Sequence, residues 1–412
     1  MSSNPTIHSN KKAFFWNSVA SVLNSFQSAI ILAVISYVTG GNDAGIFVFA
    51  YAAANLMMII GKFGMRQFQV SDINNKYTFS DYLFSRKLTL FLMLIASVLY
   101  AFFSSFGNTE KLFTIILWCG IRGIESYEDV YHGDLQKNGY LDKASLVLTI
   151  RIFISIIVFC LSYYLKESLV LSSAITFLFS LILAITLNAH YKNLYSSAAN
   201  ANIPKVKHLL IENLSLFLGY FCIMYLGNAP KYSINGLLSN EMQAIYGYLF
   251  MPVFLIGMLC NFILQPLITT YSQLWNQKNI RGLYHLVSIH LAVIFILTII
   301  TILGGKFIGI YLLEIFYNVS LHPYSYTLYV LLVASGLIAV LSYFRTLLTI
   351  IRCQNTVLWL YVSGCILMIV GSPYFLNVGS ILGISIYYAL IIFLLDLLSF
   401  CLFIYKISQA HS

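Results

Sequence analysis

The sequence predicts an all-α polytopic membrane protein, with twelve transmembrane helices in two six-helix lobes around a central cavity. Three observations carry that expectation. Apolar runs of about 20 residues, each long enough to cross a bilayer as a helix, recur along the whole chain. Charged residues are 9% of the 412 positions, whereas a soluble domain needs about a quarter to cover its surface. The short alternating segments of a membrane β-barrel are not seen.

The expected spans follow in order. The first, 13–38, stands behind Lys11 and Lys12 and is too long for the apolar region of a cleaved signal peptide, so it is read as a retained helix. The loop GGNDAG leads to 45–66. The third span, 84–106, is introduced by a capping box in which Asp81 stands three residues after Thr78. Then come 112–132, which carries most of the intramembrane charge, 143–165 and 168–190. The polar linker SSAANANIPK separates these from 209–230, where Pro230 should end or kink the helix. The eighth span, 244–270, contains Pro252 and Pro266, read as kinks. The last four are 283–305, 323–350, 356–377 and 381–405.

With the first residue placed inside, nineteen of the 23 lysines and arginines fall on the inner face, and only Lys111, Lys166, Lys231 and Lys306 on the outer. This is the positive-inside pattern. It predicts that both termini are cytoplasmic, and it explains the net charge of +9 without a nucleic-acid partner. The seven cysteines lie in apolar stretches with no CxxC pair, so neither disulfide framework nor metal site is expected. A phosphate-binding GxxxxGK[ST] loop, HExxH and GxSxG are all missing. The connections reach only about 15 residues, too short for the external loop of a membrane polysaccharide enzyme. No cofactor and no enzymatic activity are expected.

Charge inside a span costs about 2.5–3.5 kcal/mol on insertion scales and therefore marks function or pairing. In the fourth span Arg122, Glu125, Glu128, Asp129 and His132 recur at three- and four-residue spacing, so they share one helical face. That face either neutralises itself through Arg122 and Glu125 or lines a wet cavity. Arg151 and Asp396 lie too deep in their spans to reach an interface easily. Lys62, Arg66 and Arg345 lie near span ends, where they could line the cavity or snorkel. The cationic surplus suits an anionic cargo, and the acids Glu125, Glu128, Asp129 and Asp396 are the candidates for coupling transport to an ion.

One internal echo, GNDAGIFVFAYAAANLMMIIGKFG against SNEMQAIYGYLFMPVFLIGMLCNF about 200 residues later, suggests a duplicated six-helix unit. The lobes would then be 1–200 and 201–412. The stretch NAPKYSINGLLSNEMQAIYGYLFMPVFLIGMLCNFILQPLI, with Asn228, Pro230, Lys231, Gln265 and Pro266, resembles the signature of polysaccharide-repeat-unit flippases (O-antigen or capsule type). These belong to the multidrug/oligosaccharidyl-lipid/polysaccharide exporter superfamily. DAGIFVFAYAAANLMMIIGKFGMRQFQVSD and EDVYHGDLQKNGYLDKA resemble the same family. The resemblance implies a MATE-like fold that moves an undecaprenyl-diphosphate-linked oligosaccharide between leaflets by alternating access. Its partners would be this lipid-linked substrate, membrane lipids, a polysaccharide polymerase and a chain-length regulator. Lys62, Arg66, Arg122, Arg151, Asn228, Lys231 and Arg345 would then contact diphosphate and sugar. The arginines of lipid II flippases and the acid of drug–cation antiporters are both missing from FFWNSVASVLNSFQSAIILAVIS. A drug or small-metabolite antiporter and a membrane-embedded polymerase or acyltransferase stay as alternatives.

Overall fold

Helix ends in this chain are set by local chemistry that the computed structural model makes explicit for residues 8–72, 74–196, 200–253, 256–257 and 267–409. The first unit, up to Met224, contains α1 (His8–Val38), α2 (Gly41–Lys62), α3 (Met65–Ser71), α4 (Phe79–Ser104), α5 (Thr109–Lys137), α6 (Leu141–Lys166) and α7 (Leu169–His190). A 3-10 turn at Lys192–Leu194 follows α7. Helix α8 (Ile203–Ile234) crosses the unit boundary between Met224 and Tyr225. The second unit contains α9 (Asn240–Phe250), α10 (Ile268–Asn276), α11 (Ile280–Gly304), α12 (Ile310–Tyr317), α13 (Ser325–Ile350) and α14 (Gln354–Gln409).

Nine helices among the described residues are long and apolar enough to cross a membrane. Helix α5 is as long but more charged, and α14 is two limbs joined at Ser380, whose φ of 51° and ψ of −140° break the helical path. These account for eleven of the expected spans. The twelfth, 244–270, is described only in part, and Gln265, Pro266 and Cys260 lie outside the described residues.

The capping box before α4 is formed: the Thr78 hydroxyl accepts from the Asp81 amide, and the Asp81 carboxylate accepts the Thr78 amide at 2.9 Å. The expected second span is cut short. Phe63 (φ 49°) and Gly64 (φ 67°) adopt left-handed backbone and divide it into α2 and α3. The ninth span is longer than expected, because a π turn at Gly305–Gly309 carries α11 into α12 as far as Tyr317. Pro230 does not end α8, which runs one turn further to Ile234. So close to the C-terminal end, losing one backbone donor interrupts little of the remaining hydrogen-bond ladder.

In the first unit α2 is the central helix, packed against α4 and α5, while α1 packs on α6 and α5 on α7. Its alanines and Gly61 permit that closeness, as small residues do between membrane helices. A Cβ on Gly61 would stand 2.6 Å from the Met93 sulfur and 2.8 Å from the Ser126 hydroxyl. In the second unit α13 packs on α14 and α11. Its core is apolar, built around Leu283, Val287, Phe344, Leu347 and Phe403.

Candidate functional site

Helix α5 organises the charge of the first unit. Arg122, Glu125, Glu128, Asp129 and His132 are all buried, as one helical face turned into the bundle must be. Glu125 accepts from Lys62 at the end of α2 at 2.7 Å and from Arg122 at 2.6 Å, with Arg151 of α6 at 3.7 Å. Glu128 pairs with Arg151 at 2.6 Å and accepts from the Asn188 amide of α7 at 2.9 Å. Asp129 pairs with Arg86 of α4 at 2.8 Å and Arg66 of α3 at 3.4 Å. Arg66 also donates to Gln136 at 3.0 and 3.2 Å. Arg122 donates to the Tyr51 hydroxyl and lies 4.8 Å from the centre of its ring. Tyr51 in turn donates to Gln27 of α1 at 3.3 Å. One network therefore ties together α1 to α7.

Five cations, Lys62, Arg66, Arg86, Arg122 and Arg151, face three carboxylates in this network, a formal surplus of two positive charges. The surplus has a direction. The Arg86, Arg122 and Arg151 side chains are at most 4% exposed, whereas Lys62 is 27% and Arg66 30% exposed. Two cations, paired with Glu125 and Asp129, thus present charge at the more exposed edge of an otherwise buried cluster. Such an edge can accept a polyanion without the whole network reorganising, because the donors are already oriented.

Arg86 is the member that sequence reasoning missed, having counted it as an inner-face cation. Its guanidinium is fully buried and donates to the Gly61 carbonyl at 2.6 Å as well as to Asp129. The available signal was the stripe Ser85, Arg86, Thr89, Met93, Ser97, which puts polar and small side chains on one buried face of α4. Thr89 donates to the same Gly61 carbonyl at 2.8 Å. The self-neutralising Arg122–Glu125 pair is present, but inside a larger cationic assembly.

The candidates of the second unit are dispersed. Lys231 donates to Asn228 at 3.2 Å and sits 4.3 Å from the centre of the Phe250 ring, a cation–π contact that holds it half-buried. Arg345 donates to Ser342 at 3.1 Å. Asp396 is buried, and neither of its oxygens accepts a hydrogen bond among the described residues. Tyr361 is the electrostatic neighbour of both Arg345 and Asp396. No group of three or more potential metal ligands occurs among the described residues.

No protein-family profile and no curated sequence matches the chain. Solved structures do. A multidrug resistance MATE family transporter of the MOP superfamily, in an inward-facing conformation, superposes with a TM-score of 0.68 at 13% identity over 95% of each chain. The Vibrio cholerae MATE transporter VcmN in its bent form gives 0.62 at 10% identity over 98% of each chain. A MOP superfamily transporter from Pyrococcus furiosus, described as having a binding pocket of reverse polarity that suggests a different function, gives 0.55 at 12% identity over 98% of this chain and 96% of that one. Across nearly its whole length, then, the chain shares the all-helical, membrane-spanning fold of the MATE transporters.

Proposed function

We propose that this protein is a transporter that flips an undecaprenyl-diphosphate-linked oligosaccharide from the inner to the outer leaflet of a bacterial cytoplasmic membrane, for surface polysaccharide synthesis. The observation that carries the reading is the surplus of two positive charges displayed by Lys62 and Arg66 at the rim of a buried network. A diphosphate bound there replaces water with two preoriented cations, each charge-assisted hydrogen bond contributing about 1.5–3 kcal/mol. Two such contacts correspond to a hundredfold or more in affinity. Asn228, Lys231 and Arg345 supply further polar contacts for the sugars and phosphates in the second unit.

The rival reading, a drug or metabolite cation antiporter, is favoured by the multidrug resistance function named for one structural neighbour. A cationic cargo, however, would meet like charge at Lys62 and Arg66. The network carboxylates are each engaged by cations, which leaves Asp396 as the acid best able to gain and lose a proton or ion during transport. In this reading the repeat units of the chain are 1–200 and 201–412, both termini are cytoplasmic, and a polysaccharide polymerase and a chain-length regulator receive the cargo downstream.

Deleting the gene tests the proposal. Surface polysaccharide should be lost, and the undecaprenyl-linked repeat unit should accumulate on the cytoplasmic side, inaccessible to reagents added outside. Normal polysaccharide in the deletion strain, with drug sensitivity instead, would overturn it in favour of the antiporter. Reporter fusions at Ser196 and Asn42 should read cytoplasmic and external respectively.

A further inference from the structure

The first unit carries a second feature, separate from the edge displayed by Lys62 and Arg66. Helices α4, α5 and α7 leave between them a slot of about 930 Å³ that opens sideways. Its two ends differ in chemistry. One end is closed by Leu94, Gly120 and Phe177, all apolar. The other ends at the C-terminus of α7 with Asn188, Lys192, Asn193 and Ser196. Along α4 the lining runs from Phe79 to Leu94, and along α5 from Gly120 to Tyr131. At 1.5 Å per residue those stretches span about 17–22 Å. That length matches one leaflet, about 15 Å of hydrocarbon plus part of its head-group layer. Its apolar walls continue into the lipid-facing surface, since Leu94, Leu181 and Ile185 line the slot and are themselves exposed.

We propose that this slot binds one anionic phospholipid, with its chains between α4, α5 and α7 and its head group at Lys192, Asn193 and Ser196. The exposed Lys192 is the cation offered to the head group at that end. Lys192 is exposed, Glu128 is taken up by Arg151, and Asp134 is held by the Ser196 hydroxyl and amide, each at 2.8 Å. The bound lipid would lie over a hydrogen-bond relay in which the Tyr195 hydroxyl donates to Asn188 at 2.9 Å and Asn188 donates to Glu128. Head-group occupancy is thereby connected to the Arg151 side of the cation network.

The test is quenching of an introduced tryptophan in reconstituted full-length protein, read as the difference from the parent chain, whose four native tryptophans also emit. Leu181→Trp reports from the slot. Leu178→Trp, on the same helix but outside the lining, reports from the general lipid surface. With brominated phosphatidylglycerol in a phosphatidylcholine background, the Leu181→Trp signal should be quenched about fivefold more readily than with brominated phosphatidylcholine, as one lysine near an anionic head group implies. The Leu178→Trp signal should show no such preference. Lys192→Glu, at an exposed position, should abolish the preference, and Gly123→Leu should reduce quenching by placing a side chain in the slot. Equal quenching by the two lipids at Leu181→Trp, or a preference untouched by Lys192→Glu, would overturn the proposal. So would displacement of the quencher only by an added polyprenyl diphosphate, which would make the slot a cargo site.

Discussion

The two units handle buried charge in opposite ways. In the first, every deep carboxylate of α5 has at least two polar partners, and the ion pairs stitch five helices together, with α7 joined by the hydrogen bond from Asn188. Among the described residues of the second, no ion pair occurs, the core is aliphatic and aromatic, and the one deep acid, Asp396, has no hydrogen-bond donor. The contrast separates two jobs. A network in which each charge supports others is rigid and holds a fixed excess of positive charge, suited to a polyanion. An isolated acid can change protonation or bind a cation without collapsing its surroundings, suited to coupling.

The comparison breaks first at Arg86. Removing the buried partner leaves Asp129 with only the partly exposed Arg66 and costs about 3 kcal/mol. Arg86→Ala should therefore lower the melting temperature of purified protein sharply, whereas Arg86→Met with Asp129→Leu should recover most of the loss. If Arg86→Ala melts like the wild type, the network is not what holds α2, α4 and α5 together. Next comes Gly61→Val, which drives a branched side chain into Met93 and Ser126. Overpacking of this kind costs about 1–3 kcal/mol, read in the same melting experiment.

Asp396→Asn sharpens the other half of the comparison. Because no network depends on Asp396, the variant should keep its abundance and melting temperature while slowing transport and flattening its dependence on pH. Wild-type transport rates across the pH range would remove Asp396 from the mechanism. The smallest effect belongs to Asp72, in the connection between α3 and α4. Partial burial alone would raise the pKa of its carboxyl, but the amides of Tyr77 and Lys76 outweigh that and hold it below the usual value. Those amides donate to it at 3.1 and 2.9 Å. A depressed folded-state pKa stabilises above the unfolded value of about 3.9 and is lost as pH falls through the lower folded value. Asp72→Asn should thus cost less than about 1 kcal/mol at neutral pH and nothing in strong acid, measurable as a melting difference that vanishes on acidification.

What could be read in advance follows from which properties are one-dimensional. Span length and hydropathy depend on local sequence, so most of the described spans emerged close to their expected limits, the second and ninth apart, and the α5 face was visible because helical spacing alone places Arg122, Glu125 and Asp129 together. Partnership is three-dimensional. Hydropathy alone does not separate Arg86, fully buried against the Gly61 carbonyl, from Lys87 beside it, which is exposed on the same helix; only the polar stripe of Ser85, Thr89 and Ser97 marks the face that Arg86 shares. Nor does Pro230 announce that α8 will continue past it, since the outcome depends on how many turns remain. The break at Phe63 and Gly64, which falls between Lys62 and Arg66, rests on left-handed backbone at a phenylalanine, a conformation its residue type does not favour.

The central claim, that the exposed edge of the network holds the diphosphate of a lipid-linked cargo, is tested most directly by charge-removing and charge-keeping variants at that edge. In a deletion strain complemented at equal protein abundance, Lys62→Gln with Arg66→Gln should reduce surface polysaccharide display by about a hundredfold and trap the lipid-linked repeat unit on the cytoplasmic side. Lys62→Arg with Arg66→Lys should retain much of the activity. Full display by the doubly neutralised variant would contradict the account, because it would show that the cargo crosses without those two cations.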